Sequence, residues 1–178
     1  IQRSRGLGDV YKRQDYHKRI NSKKLKIDEN SILIIRGCGP VGYPGSAEVV
    51  NMQPPDRLLK KGINALPTLG DGRQSGTSES PSILHVSPES AVGGDLAIVK
   101  TGDKMTIDLN KRRVDLQITK LEFTKRRKKK KIKKLNNQTP WQEISRSNVG
   151  QLEDGACIMS RDQYLDITKT KGILRNSH

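Results

Sequence analysis

The chain has 178 residues, a net formal charge of +15, 32% hydrophobic residues and 3% aromatics. That length allows one domain with an aliphatic core and leaves part of the chain as solvated tail. No apolar run approaches the roughly 20 residues of a membrane-spanning helix, no charged-then-apolar leader is present, and Cys38 and Cys157 lack the spacing of a disulfide framework or a zinc site; a cytoplasmic location is the default expectation.

Residues 1–14 end in DVYKRQ (Asp9 to Gln14), which looks like a translated sequencing-adapter junction and is set outside the fold. Ser31 to Ile35, SILII, is a β-branched run with the pattern of a buried strand. Pro40, Gly42, Pro44 and Gly45 then force a loop, Ala47 to Met52 is expected as one helical turn, and Pro55 opens a helix through Arg57 to Lys60. Ala65 to Leu69 reads as a short strand leading into the glycine-rich stretch Gly70 to Ser78.

Beyond it, Ser82 to Val86 is expected to be extended, and Pro88 to Val92 to make a helical turn stopped by Gly93-Gly94. Leu96 to Val99, Lys104 to Leu109 and Arg113 to Ile118 are expected as strands. Met105, Ile107 and Leu109 alternate with polar residues, as do Val114, Leu116 and Ile118, so one face of that hairpin is buried. The pattern then turns helical: a basic helix from Lys120 to about Lys134, a second from Pro140, and a third from about Gln163 to Lys171. This divides the chain into 1–14, a β-rich body over 15–119 and a helical extension over 120–178.

Three stretches carry chemistry. In GDGRQSGTS the missing side chains at Gly72 and Gly76 let backbone N–H groups approach an oxyanion and let the Ser75 hydroxyl project. A serine acts as a base only as an alkoxide, which needs a cation or donors nearby. The alternative for Ser75 is a turn serine bonded to its own backbone. Arg73 suits a carboxylate or that alkoxide, and equally a structural salt bridge. Glu48, after the Pro44-Gly45 turn, suits a hard oxygen-ligated ion or, alternatively, a solvated helix start. His17 and His85 are isolated and make no nucleophile-base pair with a nearby acid in sequence, so neither is assigned a role.

RGCGPVGYPGSAEVVNM (Arg36 to Met52), PPDRLLKKG (Pro54 to Gly62) and GDGRQSGTSESPSIL (Gly70 to Leu84), in that order, resemble the dihydroxy-acid and sugar-acid dehydratase family, and within it the aldonate branch. The resemblance runs from about Asp15 to His178. It implies an α/β, β-rich, swivelling β-barrel-like carboxy-terminal domain with flanking helices, docked on a larger amino-terminal α/β domain. It further implies conversion of an aldonate to a 2-keto-3-deoxy acid, with Ser75 as the proton-abstracting base and Thr77 assisting it. Glu48 is implied as a Mg2+ ligand, and an iron–sulfur cluster as held by the upstream domain. Arg73, Gly76 and His178, in the terminal GILRNSH, are the expected substrate contacts. The partners implied are a sugar acid, the amino-terminal domain and further copies of the chain, and a fragment lacking that domain is expected to be inactive. Cys38 reads as a small buried hydrophobe rather than a cluster ligand.

Two features depart from the family pattern. Glu79 stands where glycine is usual, which bears on substrate preference, and KRRKKKKIKK (Lys125 to Lys134) replaces an acidic, alanine-rich helix. That run supplies nine positive charges and raises nucleic acid as a partner. No aromatic residue is interleaved with it, so stacking surface is lacking and a solvated helical face is the expected reading.

Overall fold

The computed structural model describes residues 2–9, 16–17, 19–44, 48–49, 52–74, 80–130, 139–158 and 161–171. Its centre is a mixed six-stranded sheet ordered β6-β4-β2-β1-β7-β8. The strands are β1 (Gln2–Asp9), β2 (Ser31–Arg36), β4 (Thr68–Gly70), β6 (Ser82–Ile83), β7 (Lys104–Asp108) and β8 (Arg113–Leu116). β1, β2, β4 and β6 run parallel, while β7 is antiparallel to β1 and to β8. A separate parallel pair joins β3 (Glu48–Val49) to β5 (Arg73–Gln74). The helices are α1 (Asp56–Leu59), α2 (Lys120–Lys129), α3 (Pro140–Asn148) and α4 (Arg161–Lys171).

β2 explains the layering. Its side chains alternate between two faces, and both are covered, as in parallel strands with helices and loops on each side. Leu33 joins Ile20, Leu25, Ile27, Cys38, Leu58 and others in one core cluster, while Ile32 and Ile34 join Leu69, Leu96, Val99 and Met105 in the other. Ile32 and Leu33 have no solvent-accessible surface, so each contributes about 2 kcal/mol of apolar burial. The strand ends at Arg36, and Gly37 next to it, with a φ of 77°, turns the chain out of the sheet.

The α/β class expected from sequence is observed. Among the described residues the sheet is open, with β6 and β8 at its ends and unpaired to each other, so no closed barrel forms. Residues 2–9, set outside the fold by the sequence reading, form β1 between β2 and β7. Their sequence, QRSRGLGD, has no apolar alternation; the strand is defined by its backbone ladders, with a register irregularity between Gly6 and Asp9.

Four local expectations need correction. The turn of helix expected at Ala47 to Met52 is a strand at Glu48–Val49, because the third motif pairs with it edge to edge. The strand expected at Leu96 to Val99 is a 3-10 turn, Asp95–Ile98, which still buries Leu96 and Ile98. Leu109 is 76% exposed, because β7 ends at Asp108 and the residue falls in the hairpin turn. The basic helix stops at Lys129, with Lys130 extended as its C-cap; 131–138 lie outside the described residues. The helix at Pro140 starts as expected, with a capping box between Thr139 and Gln142 and proline in its first turn.

Candidate functional site

The first and third motifs leave the ends of adjacent parallel strands, β2 and β4, and this is why they lie side by side. Gly70 closes β4 at a point of close approach. A Cβ there would come within 2.7 Å of the Ile35 carbonyl oxygen and 3.2 Å of Leu84 Cδ2, so only glycine fits without displacing β2. The chain then continues into β5, where Arg73 lies opposite Glu48 and Gln74 opposite Val49. The segment 85–86 covers the other side of the turn: His85 N–H donates to the Gly72 carbonyl and Val86 N–H to that of Gly70, each at 3.0 Å.

Two buried carboxylates hold the loop after β2. Asp71, with no exposed surface, accepts from the backbone N–H of Gly37 (3.0 Å), Cys38 (2.9 Å) and Ser90 (2.8 Å) and from the Ser90 hydroxyl (2.6 Å). Gly37 N–H also reaches Ser90 Oγ at 2.7 Å. Glu89, equally buried, accepts from the backbone N–H of Val41 and Gly42, both at 2.8 Å, and from Gln151 Nε2 at 2.9 Å. Gln151 returns its carbonyl oxygen to Glu89 N–H at 2.9 Å. Hydrogen bonds to an ionised acceptor are roughly twice as strong as neutral ones, so these groups fix a loop that proline and glycine alone would leave loosely specified.

A second set of contacts ties the helical extension to the body. Arg126 places Nη2 at 3.0 Å from Asp103 Oδ1, Nε at 2.7 Å from Glu122 and Nη1 at 3.2 Å from the Ile98 carbonyl. Hydrogen bonding to Asp103 is the main cause of a guanidinium held even more firmly protonated than usual. Lys130 Nζ donates to the Ser90 carbonyl at 2.9 Å, and its burial, with Arg36 and Arg127 nearby, lowers the lysine pKa. Arg146 Nε reaches the Val41 carbonyl at 3.0 Å. Two members of the basic run are therefore used inside the molecule, which corrects the reading of that run as a wholly solvated face.

Of the residues singled out from sequence, the structure brings Glu48 and Arg73 together on paired strands, with Arg73 exposed. The Glu48 backbone is described and its side chain is not; Ser75, Gly76, Thr77 and His178 lie outside the described residues. Sequence reasoning passed over Asp71, Glu89, Ser90 and Gln151. Asp71 stood inside a quoted motif, and its signal was a carboxylate flanked by two glycines where no cation is adjacent.

Cys38 does not suit a cluster. Cys38 is 3% exposed, and burial, reinforced by Asp71 and Glu89, raises its thiol pKa and disfavours the thiolate a metal requires. Among the described residues no three His, Cys, Asp or Glu side chains are grouped to hold a metal ion. The Asp71 and Glu89 oxygens are already engaged by N–H donors. Asp71 and Glu89, so engaged, do not fit an iron–sulfur cluster. An apolar cavity of about 580 Å³, lined by Leu69, Val86, Leu96, Met105, Leu116 and Phe123 among others, lies against the second core cluster. Its walls lack the density of polar groups that a sugar acid demands. No helix among the described residues is long and apolar enough to cross a membrane.

Comparison with known proteins agrees with the motif geometry. Residues 2–156 match the family model described as dihydroxy-acid/6-phosphogluconate dehydratase C-terminal. The chain is 56% identical over 153 residues to the D-xylonate dehydratase of Caulobacter vibrioides, covering 86% of this chain and 26% of that protein. It is 49% identical over 112 residues to the L-arabinonate dehydratase of Rhizobium leguminosarum bv. trifolii, covering 63% of this chain and 19% of the relative. With the dihydroxy-acid dehydratase of Thermodesulfovibrio yellowstonii the identity is 39% over 134 residues, 75% of this chain and 24% of the relative. The chain thus spans about a quarter or less of the length of these relatives. The motifs that meet at the ends of β2 and β4 are those of a dehydratase carboxy-terminal region, and the chain belongs to the dihydroxy-acid/6-phosphogluconate dehydratase C-terminal family.

Proposed function

We propose that the chain is the carboxy-terminal part of a longer hydro-lyase that converts an aldonate to a 2-keto-3-deoxy acid. The observation that carries this reading is the pairing of Glu48 with Arg73, which sets the two loop motifs side by side. In this reading Ser75, as alkoxide, takes the proton from C2 of the sugar acid, and the C3 hydroxyl departs as water. The enol left behind tautomerises to the keto acid. Thr77 donates to the serine oxygen or orients substrate, Gly76 lets backbone N–H groups approach, and Arg73 and His178 bind the substrate carboxylate or hydroxyls.

Glu48 is this chain's contribution to a Mg2+ site. The remaining ligands and the iron–sulfur cluster are assigned to the rest of the longer protein, together with the acid for the leaving hydroxyl. The same proposal includes a swivelling domain docked on an amino-terminal α/β domain, a homo-oligomeric enzyme in the cytoplasm, and residues 1–14 as adapter-derived sequence. Sugar acids are preferred over branched-chain dihydroxy acids because identity is 56% to the relative named for xylonate and 39% to the one named for dihydroxy acids.

The test is keto-acid formation by the longer protein on a panel of pentonates and a branched-chain dihydroxy acid. A pentonate is expected to lead, and Ser75→Ala is expected to lower kcat by about 10²–10⁴-fold. Retention of kcat within about 10-fold would remove Ser75 as the base. The 178-residue chain alone is expected to show no turnover.

A further inference from the structure

We propose that Asp71 and Glu89 are positioning residues, a pair of buried carboxylates that set the loop carrying Glu48 against the loop carrying Ser75. The inference rests on the proposed function for what those loops do, and on the hydrogen bonds for how they are held.

Asp71 belongs to the glycine-rich motif itself, four residues before Ser75, yet its hydrogen bonds among the described residues lead away from that motif, to Gly37, Cys38 and Ser90. One carboxylate thereby joins the end of β2, the start of the 3-10 turn at Ser90–Val92 and its own loop. Glu89 continues the job from the next segment, taking the adjacent N–H groups of Val41 and Gly42 on its two oxygens, as a bidentate acceptor takes a fork of donors. The loop from Gly37 to Gly42 is thus held at both ends by anions that are fully buried.

The close fit is visible at Gly39. A Cβ there would lie 2.6 Å from Glu89 Cδ and 2.7 Å from Glu89 Cβ, so the loop backbone rests directly on the carboxylate side chain. Gln151 closes the arrangement from the helical extension by bonding both the side chain and the N–H of Glu89. Among the described residues each oxygen of the two carboxylates already accepts at least one hydrogen bond, so their action is through the backbone they hold.

The decisive experiment combines amide hydrogen exchange with kinetics on Asp71→Asn, Glu89→Gln and Ser90→Ala. In the 178-residue chain each variant is expected to lose at least about 10-fold of the protection at the amides it serves: Gly37 and Cys38 for Asp71, Val41 and Gly42 for Glu89, and Gly37 for Ser90. Protection at Leu33 and Ile34 in β2 is expected to stay as in the parent chain. Unchanged protection at the loop amides would overturn the proposal. Should Asp71→Asn unfold the sheet as well, Ser90→Ala, which deletes one hydroxyl and leaves the carboxylate, decides the point. In the longer enzyme, Glu89→Gln is expected to lower kcat about 100-fold with KM within about 2-fold, the signature of misplaced reacting groups. A kcat within about 2-fold of the parent despite lost loop protection would leave the carboxylates structural and overturn their positioning role. If Ser75→Ala were also without effect there, the failure would belong to the proposed function instead.

Discussion

Two regions of this molecule use charged side chains to hold backbone, and they do so with opposite signs. Around the motif loops, Asp71 and Glu89 accept N–H groups with no exposed surface of their own. Along the helical extension, Arg126, Lys130 and Arg146 donate to carbonyls of the body from positions that still meet solvent. The difference is one of consequence. A buried anion with several N–H donors leaves those donors stranded if it is removed, whereas a rim cation that departs is replaced by water. Loop geometry is therefore specified by irreplaceable contacts, and the attachment of the extension by several interchangeable ones.

Removing a member of each set sharpens this contrast. Glu89→Ala leaves the N–H groups of Val41 and Gly42 and the Gln151 amide without their acceptor, and is expected to lower unfolding free energy by about 3–5 kcal/mol. The urea midpoint measures it, and a shift equivalent to less than about 1 kcal/mol would break the comparison.

A smaller effect is expected from pH. The Cys38 thiol pKa lies above its ordinary value of 9.0 because burial, Asp71 and Glu89 disfavour the thiolate. The folded chain keeps a proton that the unfolded chain gives up, so this contribution is complete below pH 9.0 and is lost as pH rises above it. Relative to Cys38→Ala, the parent chain is expected to lose up to about 1.4 kcal/mol per pH unit in alkaline solution. Parallel stability curves for the two proteins from pH 8.5 to 10 would contradict it.

The smallest effect belongs to the rim. Arg126→Ala removes a partly buried ion pair with Asp103 and is expected to cost about 1 kcal/mol, reduced by salt, while exposed Lys128→Ala changes stability by less than about 0.5 kcal/mol. Equal losses at positions 126 and 128 would mean that the basic run acts only through its overall charge.

How far the sequence could be read follows from the same physics. β2 was legible because Ser31 to Ile35 is apolar on both faces, and the third helix because Thr139, Pro140 and Gln142 form a start signal within four residues. Glu48 and Val49 were misread, since two residues pair as a strand only when Arg73 and Gln74 arrive beside them. Long-range pairing leaves no local periodicity. β1 was illegible for a related reason: QRSRGLGD lacks an apolar pattern, and its place is given by neighbours on both sides. The motif residues Glu48 and Arg73 were singled out through long, ordered stretches of sequence. Asp71 and Glu89 were not, because their roles depend on meeting the N–H groups of residues more than 30 positions away.

The two thiols are free, one buried and the other half-buried. Oxidants act on thiolates they can reach, so peroxide is directed to Cys157 while Cys38, behind the loop it underpins, is spared. Mild oxidation is therefore expected to consume Cys157 and to leave Cys38, and the loop backbone around it, intact.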